Sequence, residues 1–207
     1  MCHHHPQQHA DLQFGDQDAY DVMKNGQLLL DLLGSGEYGQ WLVIHGHKHH
    51  PRICYASGGT TAPIIFSAGS LCAELYLELQ TRARNQFYVI TFPYGDYDRT
   101  GFVGTFQAWD WASGVGWIPA GQRSGLPARG GFGYRGDIRR LARSIAHVVN
   151  GAGADHAASW QLVVEGNPEV QFLLPVDFGA LRRELDATYQ LAIFELDGQP
   201  KQIGPKT

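Results

Sequence analysis

Apolar positions along this 207-residue chain fall into short runs separated by polar and glycine-rich stretches. The spacing inside each run predicts its element. Residues 17–33 read as helix, with Leu28, Leu29, Leu32 and Leu33 on one side. Asn25-Gly26 interrupts that stretch, which points to a short helix over 26–33, capped by Asn25 and stopped by Gly34. Trp41-Leu42-Val43-Ile44 is a continuous apolar run, the pattern of a strand buried on both faces. Arg52 to Ala56 and Pro63 to Phe66 predict two more strands; Phe87 to Phe92 and Gly104 to Trp111 predict a fourth and a fifth. Residues 112–136 hold eight glycines and predict a long loop. Asp137 to Asn150 predicts the clearest helix: Ile138, Leu141, Ala142, Ile145, Val148 and Val149 form one stripe, Asp137 caps its start and Gly151 ends it. Strands at 160–165 and 169–174, a helix at 178–187 and a strand at 189–196 complete the expectation. Strands alternating with helices give an α/β class, with α+β as the alternative.

Composition narrows the picture. At 43% hydrophobic and 17% charged residues the chain can bury a core. Sixteen basic residues against twenty acidic ones give a formal charge of -4, so nucleic acid is not indicated as an electrostatic partner. Cys2, Cys54 and Cys72 are too few for a disulfide framework and suit a reducing compartment. No apolar run has the length of a membrane span, and no signal peptide is visible. The expectation is a soluble, cytoplasmic protein with no membrane partner.

Histidine changes the picture most. Eight of the ten histidines lie in the first fifty residues. Two segments stand out: Cys2-His3-His4-His5-Pro6, and Gly46-His47-Lys48-His49 directly after the buried strand. A strand end places a loop at the carboxyl edge of a sheet, where ligand sites in open α/β sheets lie. Imidazole suits Zn, Mn, Fe or Ni, and neutral ligands leave the ion electrophilic. Against this stands the simpler reading of a solvated His-x-His loop.

His-x-Pro, an apolar strand and then Gly-His-x-His, in this order, resemble the C-terminal portion of the calcineurin-like metallophosphoesterases. Ile64-Ile65-Phe66-Ser67-Ala68-Gly69-Ser70 is similar to the closing strand and Gly-Ser turn of that family. The resemblance covers roughly residues 1–76; residues 77–207 would be a continuation or extension carrying the Gly-rich loop at 112–136. It implies a partial layered α/β sandwich lacking its N-terminal strands, followed by a C-terminal α+β extension. It also implies two divalent metal ions (Mn, Fe, Zn or Ni) and hydrolysis of a phosphoester by a metal-bound hydroxide. His4 and His47 would ligate one metal and His49 the other. His45 would orient a ligand or touch substrate, and His5 would meet the substrate phosphate. The family's upstream Asp-x-His, Gly-Asp-x-x-Asp and Gly-Asn-His motifs are absent, so the carboxylates would come from elsewhere. A separate N-terminal chain or self-association then becomes an expected partner.

Two rival readings stand beside it. One is a non-catalytic binding or regulatory module, or a truncated remnant. The other is a mononuclear zinc hydrolase in which His4, His47 and His49 hold one ion and leave a position open for water. Elsewhere, Arg123, Arg129 and Arg135 punctuate the Gly-rich loop, Trp109, Trp111 and Trp117 suggest aromatic packing, and Arg139, Arg140 and Arg143 fall on the polar face of the 137–150 helix.

Overall fold

Ile64-Ile65-Phe66-Ser67 is buried at every position, which requires cover on both faces and a neighbour on both edges. The computed structural model describes residues 1–7, 22–46, 49–75, 83–93, 102–121, 125–151, 153 and 157–206. In it that run is the central strand of a three-stranded sheet. β1 (Leu42–His45) pairs parallel to β3 (Ile64–Ser67), and β2 (Arg52–Tyr55) pairs antiparallel on the other edge, giving the order β1-β3-β2. Helix α1 (Gly26–Gly34) covers one face: Leu30 packs in a cluster with Ala56, Ala62 and Ile65.

The buried side of α1 is Gly26, Leu30 and Leu33, whereas Leu28 and Leu32 are exposed. The expected leucine stripe is therefore rotated. The reason lies at Gly26, where a Cβ would overlap the Pro6 carbonyl, so the N-terminal segment passes over that side of the helix. Asn25 precedes the helix without a side-chain cap; only its carbonyl accepts, from the Leu29 N–H at 3.2 Å. The part of the expected helix before residue 22 lies outside the described residues.

A second sheet runs β4 (Gln86–Thr91), β5 (Gly104–Ala112), β6 (Gly116–Pro119), with β7 (Arg129–Phe132) also pairing with β5. Here the expectation of one loop over 112–136 fails. Gly114 (φ 78°) and Gly116 (φ 97°) turn a tight hairpin that sets Trp111 opposite Trp117. The glycines of β7 admit a neighbouring backbone: Gly131 has no room for a Cβ against Gln171 and Phe172. Its N–H donates to the Leu173 carbonyl at 3.1 Å.

The remainder of the chain is α2 (Ile138–Gly151), β8 (Ala158–Ser159), α3 (Trp160–Gly166), a 3-10 turn (Pro168–Phe172), α4 (Pro175–Tyr189), β9 (Leu191–Leu196) and β10 (Gln199–Pro205). The strands expected at 160–165 and 169–174 are thus a helix and a 3-10 turn. The Ser159 hydroxyl accepts the Leu162 N–H at 3.3 Å, and this cap starts a helix that the Val163-Val164 pair alone would not signal. Pro168 at the first position then opens the tighter turn.

The whole is a mixed α/β fold in two units. One comprises Met1–Val89 and Gln107–Ala128; the other comprises Ile90–Phe106 and Arg129–Thr207. The core of the second unit joins Leu141, Ile145, Val163, Leu181, Leu185 and Ile203. Among the described residues no helix is long and apolar enough to cross a membrane.

Candidate functional site

The first place to look is the end of β1. His45 lies opposite Ser67 in the parallel ladder, and the Ala68 N–H donates to the His45 carbonyl at 2.7 Å. The N-terminal segment runs alongside. Cys2 bridges His45 in parallel and its N–H donates to the Ile44 carbonyl at 3.0 Å. His5 bridges Val22, and the Met23 N–H donates to the His5 carbonyl at 2.9 Å. These contacts bring two imidazoles together inside the protein. His5 and His45, 2% and 1% exposed, have ring centroids 4.4 Å apart in an edge-on arrangement.

Of the three expected metal ligands, His4 and His49 are described, and neither belongs to this ring pair. His4 is exposed and meets His3 edge-on at 5.0 Å. His49 is half-buried in the left-handed region (φ 54°), and the Ser67 hydroxyl donates to the neighbouring His50 carbonyl at 2.8 Å. His47 lies outside the described residues. Among the described residues no group of three or more His, Cys, Asp or Glu is arranged to hold a metal ion. Burial pushes the Cys54 thiol up, against the opposing pull of Arg52, which leaves it a weak nucleophile.

A second polar cluster lies beneath the β4–β5–β6 sheet, on inward-facing positions. Buried Asp110 accepts from Gln86 Nε2 at 2.6 Å and from the Gly121 N–H at 2.9 Å. Tyr88 donates to Gln86 Oε1 at 2.9 Å and accepts the Gly69 N–H at 2.8 Å. Burial, with a smaller contribution from Asp110, raises the Tyr88 hydroxyl far above its usual range. Every one of these bonds closes a loop or joins a strand, so the cluster is a structural tie. On the outer face Phe87 stacks on Trp109 at 4.6 Å, and Trp111 meets Trp117 at 5.3 Å.

The third candidate is in the second unit. α2, β8, α3, α4 and the β9–β10 hairpin follow one another, and the three strands pair in the order β8-β10-β9. Asp197 (φ 53°) and Gly198 (φ 70°) make the two-residue turn of that hairpin. α2 packs on α4 across the apolar core. Two helices, a connecting turn and a helix followed by a β-hairpin are the parts of a winged helix. Residues 130–187 match the family model wHTH-Calcineurin_assc. That winged helix-turn-helix match covers β7 through most of α4, and the β9–β10 wing follows directly. No curated protein and no solved structure matches the chain.

The match overturns the resemblance read from His-x-Pro and Gly-His-x-His. The family that fits is a winged helix-turn-helix and not a metallophosphoesterase catalytic domain, and it fits the region where no motif was seen. The two short motifs fix few positions, and among the described residues the buried imidazole pair is His5 and His45. The signal for this match lay in element order, which the strands expected at 160–165 and 169–174 hid.

The charge on the matched region and the hairpin after it is informative. α4 carries Asp177, Glu184 and Asp186 against Arg182 and Arg183. Arg182 is engaged: it pairs with Glu195 on β9 and lies over the Phe178 ring at 5.5 Å. The β9–β10 hairpin adds Glu195 and Asp197 against Lys201, and Lys206 just after it pairs with Asp186 at 2.7 Å. The surface of α4 and β9 is partly apolar, with Val176 64%, Leu196 62% and Phe194 40% exposed.

Proposed function

We propose that this chain is a protein-binding, regulatory module and that its winged helix-turn-helix serves association with a calcineurin-like phosphoesterase. In this reading the partner carries out phosphoester hydrolysis, with its own metals, and this chain supplies binding. The observation that carries it is the acid-leaning α4 within a winged helix. A helix that enters a DNA groove works beside a phosphate backbone and needs cationic side chains there. α4 offers one more acidic than basic residue; with Arg182 paired to Glu195 and Asp186 to Lys206, Asp177 and Glu184 remain against Arg183. Exposed Val176, Phe194 and Leu196 suit a protein surface better than a polyanion. The label of the matched family supports the choice of partner, since it names an association with calcineurin.

The test mixes the purified full chain with calcineurin-like phosphoesterases from the same organism. Size-exclusion chromatography and hydrolysis of p-nitrophenyl phosphate with added Mn are measured together. A stable complex with a changed hydrolysis rate, and no turnover by the chain alone, is the expected result. Metal-dependent turnover by the chain alone, or no complex with any such enzyme, would sink the reading.

A further inference from the structure

α2 breaks two local rules at once. Arg139 and Arg140 stand in its first turn, and Arg143 follows one turn later; all three are exposed. The N-terminal end of a helix is the positive end of its macrodipole, where cations are disfavoured by about 0.3–1 kcal/mol each. Arg139 and Arg143 are also four residues apart, and Arg140 and Arg143 three, so like charges face each other along one side. Only Asp137 offsets them: its Oδ1 caps the helix by accepting the Arg139 N–H at 2.7 Å and the Arg140 N–H at 3.3 Å.

A merely solvated face would interleave acids at the same spacing. Here Ser144, His147 and Asn150 complete the exposed side, and no acid follows Asp137 on the helix. Among the described residues none of the three guanidiniums is in an ion pair. The core side needs none of this charge, since Leu141, Ala142, Ile145, Ala146 and Val149 anchor the helix. A local cost that Asp137 alone offsets marks a site kept for something outside the fold.

We propose that the α2 face formed by Arg139, Arg140 and Arg143 docks a carboxylate-rich segment of the partner protein. The proposal rests on the reading of this unit as a protein-binding module and names the chemistry of its contact. Charge complementarity argues for the occupant. Guanidinium presents a planar fork that matches a carboxylate in two parallel hydrogen bonds, and three forks along one helix turn suit a run of Asp or Glu. A nucleic-acid backbone is the weaker match, because α4 and the wing of the same unit present an acidic excess to it.

The experiment measures fluorescence anisotropy of a fluorescein-labelled Glu-rich peptide with the full chain, and of a labelled DNA duplex in parallel. The peptide is expected to bind, weakening with salt. Arg139→Gln/Arg143→Gln, which removes two of the three guanidiniums, should reduce its affinity about tenfold, while Arg183→Gln on α4 leaves it unchanged. Ser144→Glu, which adds an acid among the arginines and removes none, should weaken binding in the same direction. This second variant guards against a folding defect in the first. Absence of peptide binding, an equal loss with Arg183→Gln, or tighter binding of DNA through the same arginines each overturns the proposal. A phosphoesterase complex that survives Arg139→Gln/Arg143→Gln retires this contact and leaves the functional reading standing. Peptide binding without any such complex does the reverse.

Discussion

The two units bury different chemistry. Among the described residues, the first unit keeps His5, His45, Ser67, Gln86 and Asp110 away from solvent, while the second buries a single polar side chain, Asn167. The first interior is thus specified by directed bonds, such as Asp110 to Gln86 and Tyr88 to Gly69. The second is specified by shape, with aliphatic side chains of α2 and α4 meeting at 0–2% exposure. The difference teaches where to look for function in each. An apolar interior leaves binding to the surface, where α2 and α4 carry their charges. A polar interior makes each buried group dependent on its partner, since an orphaned donor or acceptor loses its hydration for nothing.

The largest effect expected from this contrast is in the second unit. Leu181 is fully buried in the core cluster that also holds residues of α2, α3, β9 and β10. Leu181→Ala should cost about 2–5 kcal/mol, as lost burial and an unfilled cavity add. Urea unfolding followed by circular dichroism reads it directly, and hydrogen exchange should show lost protection over 138–189. A cost below about 1 kcal/mol would mean that this core relaxes around the gap, and the contrast between a shape-specified and a bond-specified interior would collapse.

A smaller loss is expected in the first unit. Tyr88→Phe keeps the ring that packs edge-on against Phe66 at 5.0 Å. It removes the hydroxyl that satisfies both Gln86 Oε1 and the Gly69 N–H. Leaving those two groups without this bond should cost about 1–3 kcal/mol. A neutral outcome in the same urea assay would show that water or a neighbour replaces the hydroxyl, and the interior would not depend on that bond.

How far each unit could be read in advance follows the same division. α2 was legible because six apolar residues recur at helical spacing and Asp137 sits where a cap belongs; the structure adds the bonds from Asp137 Oδ1 to two first-turn amides. The β1, β2 and β3 runs were legible as well, β3 because continuous burial demands an unbroken apolar run. Three things were not. The Val163-Val164 pair reads as strand until the Ser159 cap is weighed against it. β10 holds two prolines and only Ile203 fully buried on its core side, so its central place in the sheet comes from pairing and not from pattern. The Asp197-Gly198 turn was the available clue. At the histidine cluster the His-x-Pro spacing singles out His4, but pairing of Cys2 with His45 and of His5 with Val22 carries His5 inward. That choice is made by a neighbouring strand far away in sequence, and no local spacing encodes it.

The smallest effect tests whether charge, too, matters in the shape-specified unit. Asp177 stands in the first turn of α4, and burial raises its carboxyl above the ordinary carboxylate value. A raised acid favours its protonated form in the folded state. Its contribution to stability is therefore complete at pH below the ordinary carboxylate range and is lost as pH rises through the raised value. The ionised side chain is less favourable in the folded chain than in the unfolded one. Asp177→Asn should accordingly raise the melting temperature slightly at about pH 7, and the gain should vanish at about pH 3, where both states of the parent carboxyl are protonated. The helix dipole opposes this, because an anion in the first turn is stabilising. Melting curves of the two proteins across this range decide between them. A lower midpoint for Asp177→Asn at neutral pH would mean that the dipole outweighs desolvation, and that even this apolar unit holds a charge for stability.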